Sequence, residues 1–294
     1  MTIAACYLSP EGVVFGADST TTVMVTNPET RAAEQHGFDF GQKVFELGQD
    51  ANLGIVTWGL GGFPNASYRT LYAEFADDLK AKPPSSVEDA AVRWVARFWS
   101  AYDSTLRAAH RAAEAAATTP DDKRIVEAVA ENSSVGFCLG GIALPNRRPA
   151  AYEMVFTVKA SGMPVPQPLP SGEAVFRGAP MLIDRMLFGI DPRLFESISS
   201  SPNWTGGEEA LAKVVQPFVL GQPPRLPIRE AIDWIYSCIQ STIKGIKFSP
   251  IARQCGGPIE IAVVTSDRPF RWVRHKRLDA AIREPASETH GEAL

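Results

Sequence analysis

Thr2-Ile-Ala-Ala-Cys-Tyr-Leu8, Ser9-Pro-Glu-Gly12 and Val13-Val-Phe-Gly-Ala-Asp-Ser19 open the chain after Met1, and their reading decides the fold. Two short runs rich in β-branched and aromatic residues flank a Pro- and Gly-containing turn, the pattern of a β-hairpin. If Leu8 faces Val13, partners sum to 21 along the ladder. Thr2 then lies opposite Ser19 and beside Asp18, so a carboxylate stands next to the second residue of the chain.

A second hairpin follows the same logic. Val44 to Leu47 and Leu53 to Trp58 flank Gly48-Gln-Asp-Ala-Asn52. Pairing Leu47 with Gly54 sets Lys43 opposite Trp58 and beside Gly59, so a cation and a glycine N–H share one hairpin end. Between the hairpins, Thr20 to Gln42 reads as a polar connection, longer than a compact domain usually needs and therefore functional or mobile. If the hairpins lie side by side, Thr2, Asp18, Lys43 and Gly59 converge at a common edge.

Beyond Gly59-Leu-Gly-Gly62 the apolar spacing becomes helical. Tyr68, Leu71, Tyr72, Phe75 and Leu79 form one face of a helix over Asn65 to Ala81, and a second helix spans Ser86 to Ala117 behind a Ser-rich cap. Strands are expected at Ser134 to Leu144, Ala151 to Val158 and Ala174 to Phe176, followed by a helix from Pro180 to Ile190. A short helix from Glu208 to Leu220 lies in the irregular stretch 191–227. A long helix from Ile228 to Lys247 precedes strands at Pro258 to Thr265 and Phe270 to Val273. Strand pairs, helices and strands in this order give an α+β fold with antiparallel sheets covered by helices, not a doubly wound parallel sheet. The glycines at 59–62 lack the Lys-Ser/Thr of a P-loop and the GxGxxG spacing.

Composition bounds the partners. With 294 residues, 45 % hydrophobic, the chain can bury a sizeable core. The net charge of -4 argues against a protein that chiefly neutralises nucleic-acid phosphates. No apolar run is long enough to span a membrane and the amino terminus has no signal-peptide pattern, so a cytoplasmic protein is expected. Cys6, Cys138, Cys238 and Cys255 are far apart, as are the four histidines, which signals neither a disulfide framework nor a metal site. No cofactor is expected.

The chemistry centres on Thr2. Freed by removal of Met1, it would carry a hydroxyl nucleophile and an α-amine of unperturbed pKa roughly 7.7 to 8.0, a usable general base near neutral pH. Lys43 would depress that pKa further, Asp18 would hold the lysine, and the Gly59 N–H would face the oxyanion. The spacing equally admits a polar Thr2 at a strand start with a structural Asp18–Lys43 pair. Cysteine chemistry at Cys6 would require cleavage before it and loss of most of the first strand.

These residues resemble the threonine-type N-terminal nucleophile hydrolases of the proteasome β-subunit and HslV superfamily. Met1 to Ala5 with Glu11 to Ser19 is similar to the family's first hairpin, Gln42 to Leu47 to its lysine strand, Ile55 to Gly59 to the strand ending in the oxyanion glycine, and Cys255 to Thr265 to a late Ser-Gly-Gly loop and strand. Gly178 to Arg185 and Gly257 to Glu260 resemble the bacterial Anbu-like group most. The resemblance implies a four-layer αββα sandwich as a single domain over 1–283, with the stretch near 191–227 an insertion outside it; the charged, small-residue tail at 284–294 reads as disordered. It implies Thr2 as nucleophile with Asp18, Lys43 and Gly59, and substrate contacts from Ser19, Thr20, Thr22 and Gly61. Its partners would be peptide or protein substrates, a homo-oligomeric ring and an ATP-dependent unfoldase or other regulator, with no nucleic acid or membrane. Members of this group begin their mature chain directly after the initiator Met, and the same start is expected here. Arg177 stands where the family has an accessory serine, and Cys255 replaces the serine of its Asp-x-x-Ser-Gly-Gly element, whose aspartate is missing. These losses leave an alternative, a non-catalytic ring or assembly protein.

Overall fold

The computed structural model describes residues 2–26, 33–48, 51–63, 66–250 and 255–276. The expected tail at 284–294 lies outside the described residues. The first half contains β1 (Ile3–Ser9), β2 (Gly12–Ala17), β3 (Thr21–Thr26), β4 (Ala33–Phe38), β5 (Val44–Glu46) and β6 (Leu53–Gly59), then helices α1 (Tyr68–Ala81), α2 (Val87–Tyr102), α3 (Ala108–Ala116) and α4 (Pro120–Asn132). The second half contains β7 (Val135–Ile142), β8 (Pro149–Phe156), β9 (Gln167–Pro168), β10 (Ala174–Gly178), helices α5 (Met181–Phe188), α6 (Pro192–Ser199), α7 (Gly207–Val215) and α8 (Ile228–Lys247), and strands β11 (Glu260–Thr265) and β12 (Arg268–Arg274).

The mixed α and β content is organised as antiparallel sheets with packed helices. One sheet has the order β10-β1-β2-β11-β12, another β5-β6-β7-β8-β9, and β3-β4 forms a separate ribbon. Side chains alternate along each strand, so every five-stranded sheet has two buried faces to satisfy. On β1, Ile3, Ala5 and Tyr7 join Ile235 and Ile239 of α8 in one apolar cluster, while Ala4, Cys6 and Leu8 join Val44, Val56 and Cys138 of the other sheet. A third cluster sets Tyr72, Trp94 and Phe98 of α1 and α2 against Ile55 and Phe137. No helix among the described residues is long and apolar enough to cross a membrane.

The first hairpin has the expected register, with Leu8 opposite Val13 and Ala4 opposite Ala17. The second is shifted by one residue. Leu47 N donates to Leu53 O (3.1 Å), Val44 faces Val56, and Lys43 lies opposite Thr57, not Trp58. Both faces of β5 and β6 are buried, so apolar pattern alone does not discriminate between registers. Gly48 at φ 108° closes the tighter turn that selects this one.

Other departures have local causes. The Thr20 to Gln42 connection contains the β3-β4 ribbon, favoured by the β-branched run Thr21-Thr22-Val23. The expected helix over Ser86 to Ala117 is interrupted by a π turn at Asp103–Arg107. There the Ser104 and Thr105 hydroxyls bond back to the Ser100 and Ala101 carbonyls, competing with the ladder. Helix α4 was not anticipated, although Thr119 and Asp122 form a reciprocal capping box with Pro120 in the first turn. The stretch 191–227 contains α6 as well as the expected short helix.

Phe137 lies at the centre of the aromatic cluster, with ring centroids 4.7 Å from Phe98 and 5.3 Å from Trp94. Phe137→Ala is expected to lower unfolding free energy by about 3–5 kcal/mol in urea titration. Ile125→Ala on the exposed face of α4 should change it by under about 0.5 kcal/mol.

Candidate functional site

The starts of β1 and β3, the loop before β5, the end of β6 and the start of α1 surround a cavity of ≈ 240 Å³. Thr2, Lys43, Thr57 and Gly59 line it, together with Thr20, Thr22 and Gly61. Two hairpins far apart in sequence thus bring Thr2, Lys43 and Gly59 to one space.

Asp18 sits beneath it, fully buried and saturated with donors. Its Oδ1 accepts from Ile3 N (3.0 Å) and Lys43 Nζ (2.5 Å), its Oδ2 from Gly256 N (2.8 Å) and Thr20 N (3.2 Å). Lys43 Nζ also donates to Thr20 O (2.6 Å). Burial pulls the Lys43 ammonium below the usual lysine range; Asp18 and Cys255 oppose that shift and Lys276 adds to it. A lysine poised this way provides positive charge beside Thr2 without occupying the cavity as a flexible chain.

Gly59 is required by its backbone. Its φ is 84°, and a Cβ there would lie 2.2 Å from Ser134 O. Along β6, Thr57 N donates to Lys43 O (3.0 Å) and Leu60 N to Ser134 O (3.0 Å). Donors alternate between neighbours, so Gly59 N–H is directed to the β5 side, beyond the point where β5 ends. Thr2 itself is 6 % exposed and is held from behind: a Cβ on Gly178 would lie 1.9 Å from Thr2 O.

Other expected residues are placed differently. Ser19 is fully buried, does not line the cavity, and donates to Pro258 O (2.7 Å). Arg177 is engaged elsewhere, in a two-armed ion pair with Glu153 across the two sheets (2.6 and 2.9 Å), and does not line the cavity. Cys255 is buried, and its loop wraps the Asp18 turn through Gly256 O, which accepts from Ser19 N (3.0 Å) and Thr20 N (3.1 Å). Cys6 lies in the intersheet cluster, fully buried, where burial raises its thiol pKa well above the ordinary value.

Sequence reasoning overlooked Thr57, Arg69 and the trio Glu260, His275 and Lys276. Thr57 was hidden by the register error; Glu260 was legible as a lone acid at the head of an apolar strand. Among the described residues no cluster of His, Cys, Asp and Glu is arranged to hold a metal. No protein-family model and no curated protein matches the chain.

Lys43→Met would leave the Asp18 carboxylate buried without its cation. The expected loss is about 3–5 kcal/mol in urea unfolding, and adding Asp18→Asn should recover part of it. A double variant as unstable as the two single losses combined would show that the pair does not act as a unit.

Proposed function

We propose that the protein is a threonine-type N-terminal nucleophile hydrolase acting on amide bonds, of the proteasome-like class and closest in motif to its Anbu-like group. The observation that carries this reading is the convergence of Thr2, Lys43 and Gly59 on one cavity, with Asp18 fixing Lys43 from below. Three apolar clusters, two between helices and sheets and one drawing on both sheets, support a four-layer αββα arrangement.

The chemistry requires the peptide bond before Thr2 to be cut. Thr2 Oγ then attacks the substrate carbonyl carbon while its proton passes to the Thr2 α-amine. Gly59 N–H stabilises the oxygen as it becomes an oxyanion. Collapse breaks the C–N bond, the leaving amine takes the proton, and the acyl group remains as an ester on Thr2. Water, deprotonated by the same amine, attacks that ester, releases the carboxylic acid and restores the hydroxyl. Lys43 keeps the amine in its neutral, basic form by its nearby positive charge. Peptides or unfolded protein segments are the proposed substrates, with a homo-oligomeric ring as the working form and an ATP-dependent unfoldase as its feeder.

A preparation lacking residue 1 should form a one-to-one ester with a peptidyl β-lactone, located at Thr2 by mass spectrometry. Thr2→Ala should form none, and Lys43→Met should slow acylation by roughly 10²–10⁴-fold. Absence of an adduct in the processed wild-type chain overturns the catalytic reading.

A further inference from the structure

A second lysine is buried behind the wall of the cavity that holds Asp18. Lys276, 8 % exposed, follows β12 and donates from Nζ to Gly41 O (3.0 Å) and Ser19 Oγ (3.2 Å). The same Nζ lies 3.0 Å from Oε2 of Glu260, a fully buried carboxylate on the first residue of β11. The other Glu260 oxygen lies 2.7 Å from His275 Nδ1, whose ring stacks on Trp272 at 4.1 Å. Neither Glu260 oxygen has a partner in hydrogen-bond alignment, and the Lys276 contact is an ion pair.

What Lys276 touches connects it to the site. Ser19 follows Asp18 directly, and its hydroxyl passes on to Pro258 O (2.7 Å). Gly41 stands two residues before Lys43 and donates its own N–H to Ser19 O (2.8 Å). One ammonium therefore joins the turn that carries Asp18, the loop that leads into Lys43, and the strand that carries Glu260. Adhesion alone does not explain the choice of residue, because apolar packing usually serves a core at least as well as a buried ion pair.

We propose that Lys276, held by Glu260, is a positioning residue of the Thr2 site, an inference that rests on the hydrolase reading: it pins the Asp18 turn and the Gly41 loop, and places a second positive charge behind Lys43. The charged and titratable groups around it are Glu260, His275, Asp18, Lys43 and Arg69, with Asp39 and Cys255 on the adjoining loops. Burial lowers the Lys276 pKa, Arg69 adds to that, and Glu260 and Asp18 oppose it; Lys276 in turn adds to the lowering at Lys43. Two ammonium groups close together disfavour further protonation nearby, which is what a neutral Thr2 amine requires.

The test uses the full chain lacking residue 1. The pH dependence of β-lactone acylation at Thr2 is measured beside the pH dependence of Lys43 acetylation by acetic anhydride, read by mass spectrometry and independent of hydrolase activity. Lys276→Met should move the acidic limb of acylation up by roughly one pH unit and lower the rate at pH 7 by about tenfold. Lys276→Arg should leave the limb near its wild-type position. Glu260→Gln, which removes the balancing negative charge at nearly constant volume, should move the limb the opposite way. Lys43 acetylation should shift in the same directions. Equal slowing by Lys276→Met and Lys276→Arg with an unmoved limb, or shifts of one sign for Lys276→Met and Glu260→Gln, overturns the proposal. If the wild-type chain is not acylated at all, the hydrolase reading fails, and unmoved Lys43 acetylation would still reject the electrostatic coupling separately.

Discussion

The Asp18 carboxylate is the constraint around which the first 60 residues and the last strand pair are arranged. An isolated carboxylate cannot be placed in a protein interior without shifting to its neutral form or finding donors for both oxygens. Asp18 finds four: the backbone of β1 at Ile3, its own turn at Thr20, the loop before β11 at Gly256, and the Lys43 ammonium. These donors come from four segments of the chain. Satisfying one charge therefore sets the relative positions of β1, the Lys43 loop and the Gly256 loop.

The glycines complete that arrangement by letting backbones approach where a side chain would intrude. Gly257, at φ 70°, would carry a Cβ 2.5 Å from Asp39 O. Gly59 and Gly178 show the same crowding against Ser134 and Thr2. In each case a methyl group would clash with the neighbouring backbone and force the two segments apart.

How much of this could be read from the chain differs by element. The first hairpin was legible because Ser9-Pro10-Glu11-Gly12 is a short turn between two clear β runs, and its register passes to Thr2 and Asp18 without ambiguity. Helix α8 was legible from its period and its flanking prolines, and its limits match those expected. The second hairpin was not, because a strand buried on both faces carries no alternation to fix its register. The β3-β4 ribbon was obscured by a polar composition that reads as loop. Helix α4 was missed although its capping signal is present at Thr119-Pro120-Asp121-Asp122, since only Ala130 of it is buried and the apolar stripe is weak.

Of the cavity, Thr2, Lys43 and Gly59, with Asp18 beneath them, were readable, and the residues that reach them only through neighbours were not. Thr2, Asp18, Lys43 and Gly59 each have a distinctive type at a distinctive place on a strand end. Ser19 looked like a cavity residue because it follows Asp18, yet its hydroxyl turns away to Pro258 O, and it is Thr20 that reaches the cavity. Lys276 meets Ser19 and Glu260 only after β11 pairs antiparallel with β2, setting Glu260 opposite Ala17. No local pattern announces such a contact, because it depends on sheet order across more than 240 positions of sequence. The same dependence gives the buried acid its meaning: at the head of an otherwise apolar strand, Glu260 is costly unless a cation arrives from elsewhere in the fold, and the segment that supplies Lys276 must dock for the strand to be tolerated there.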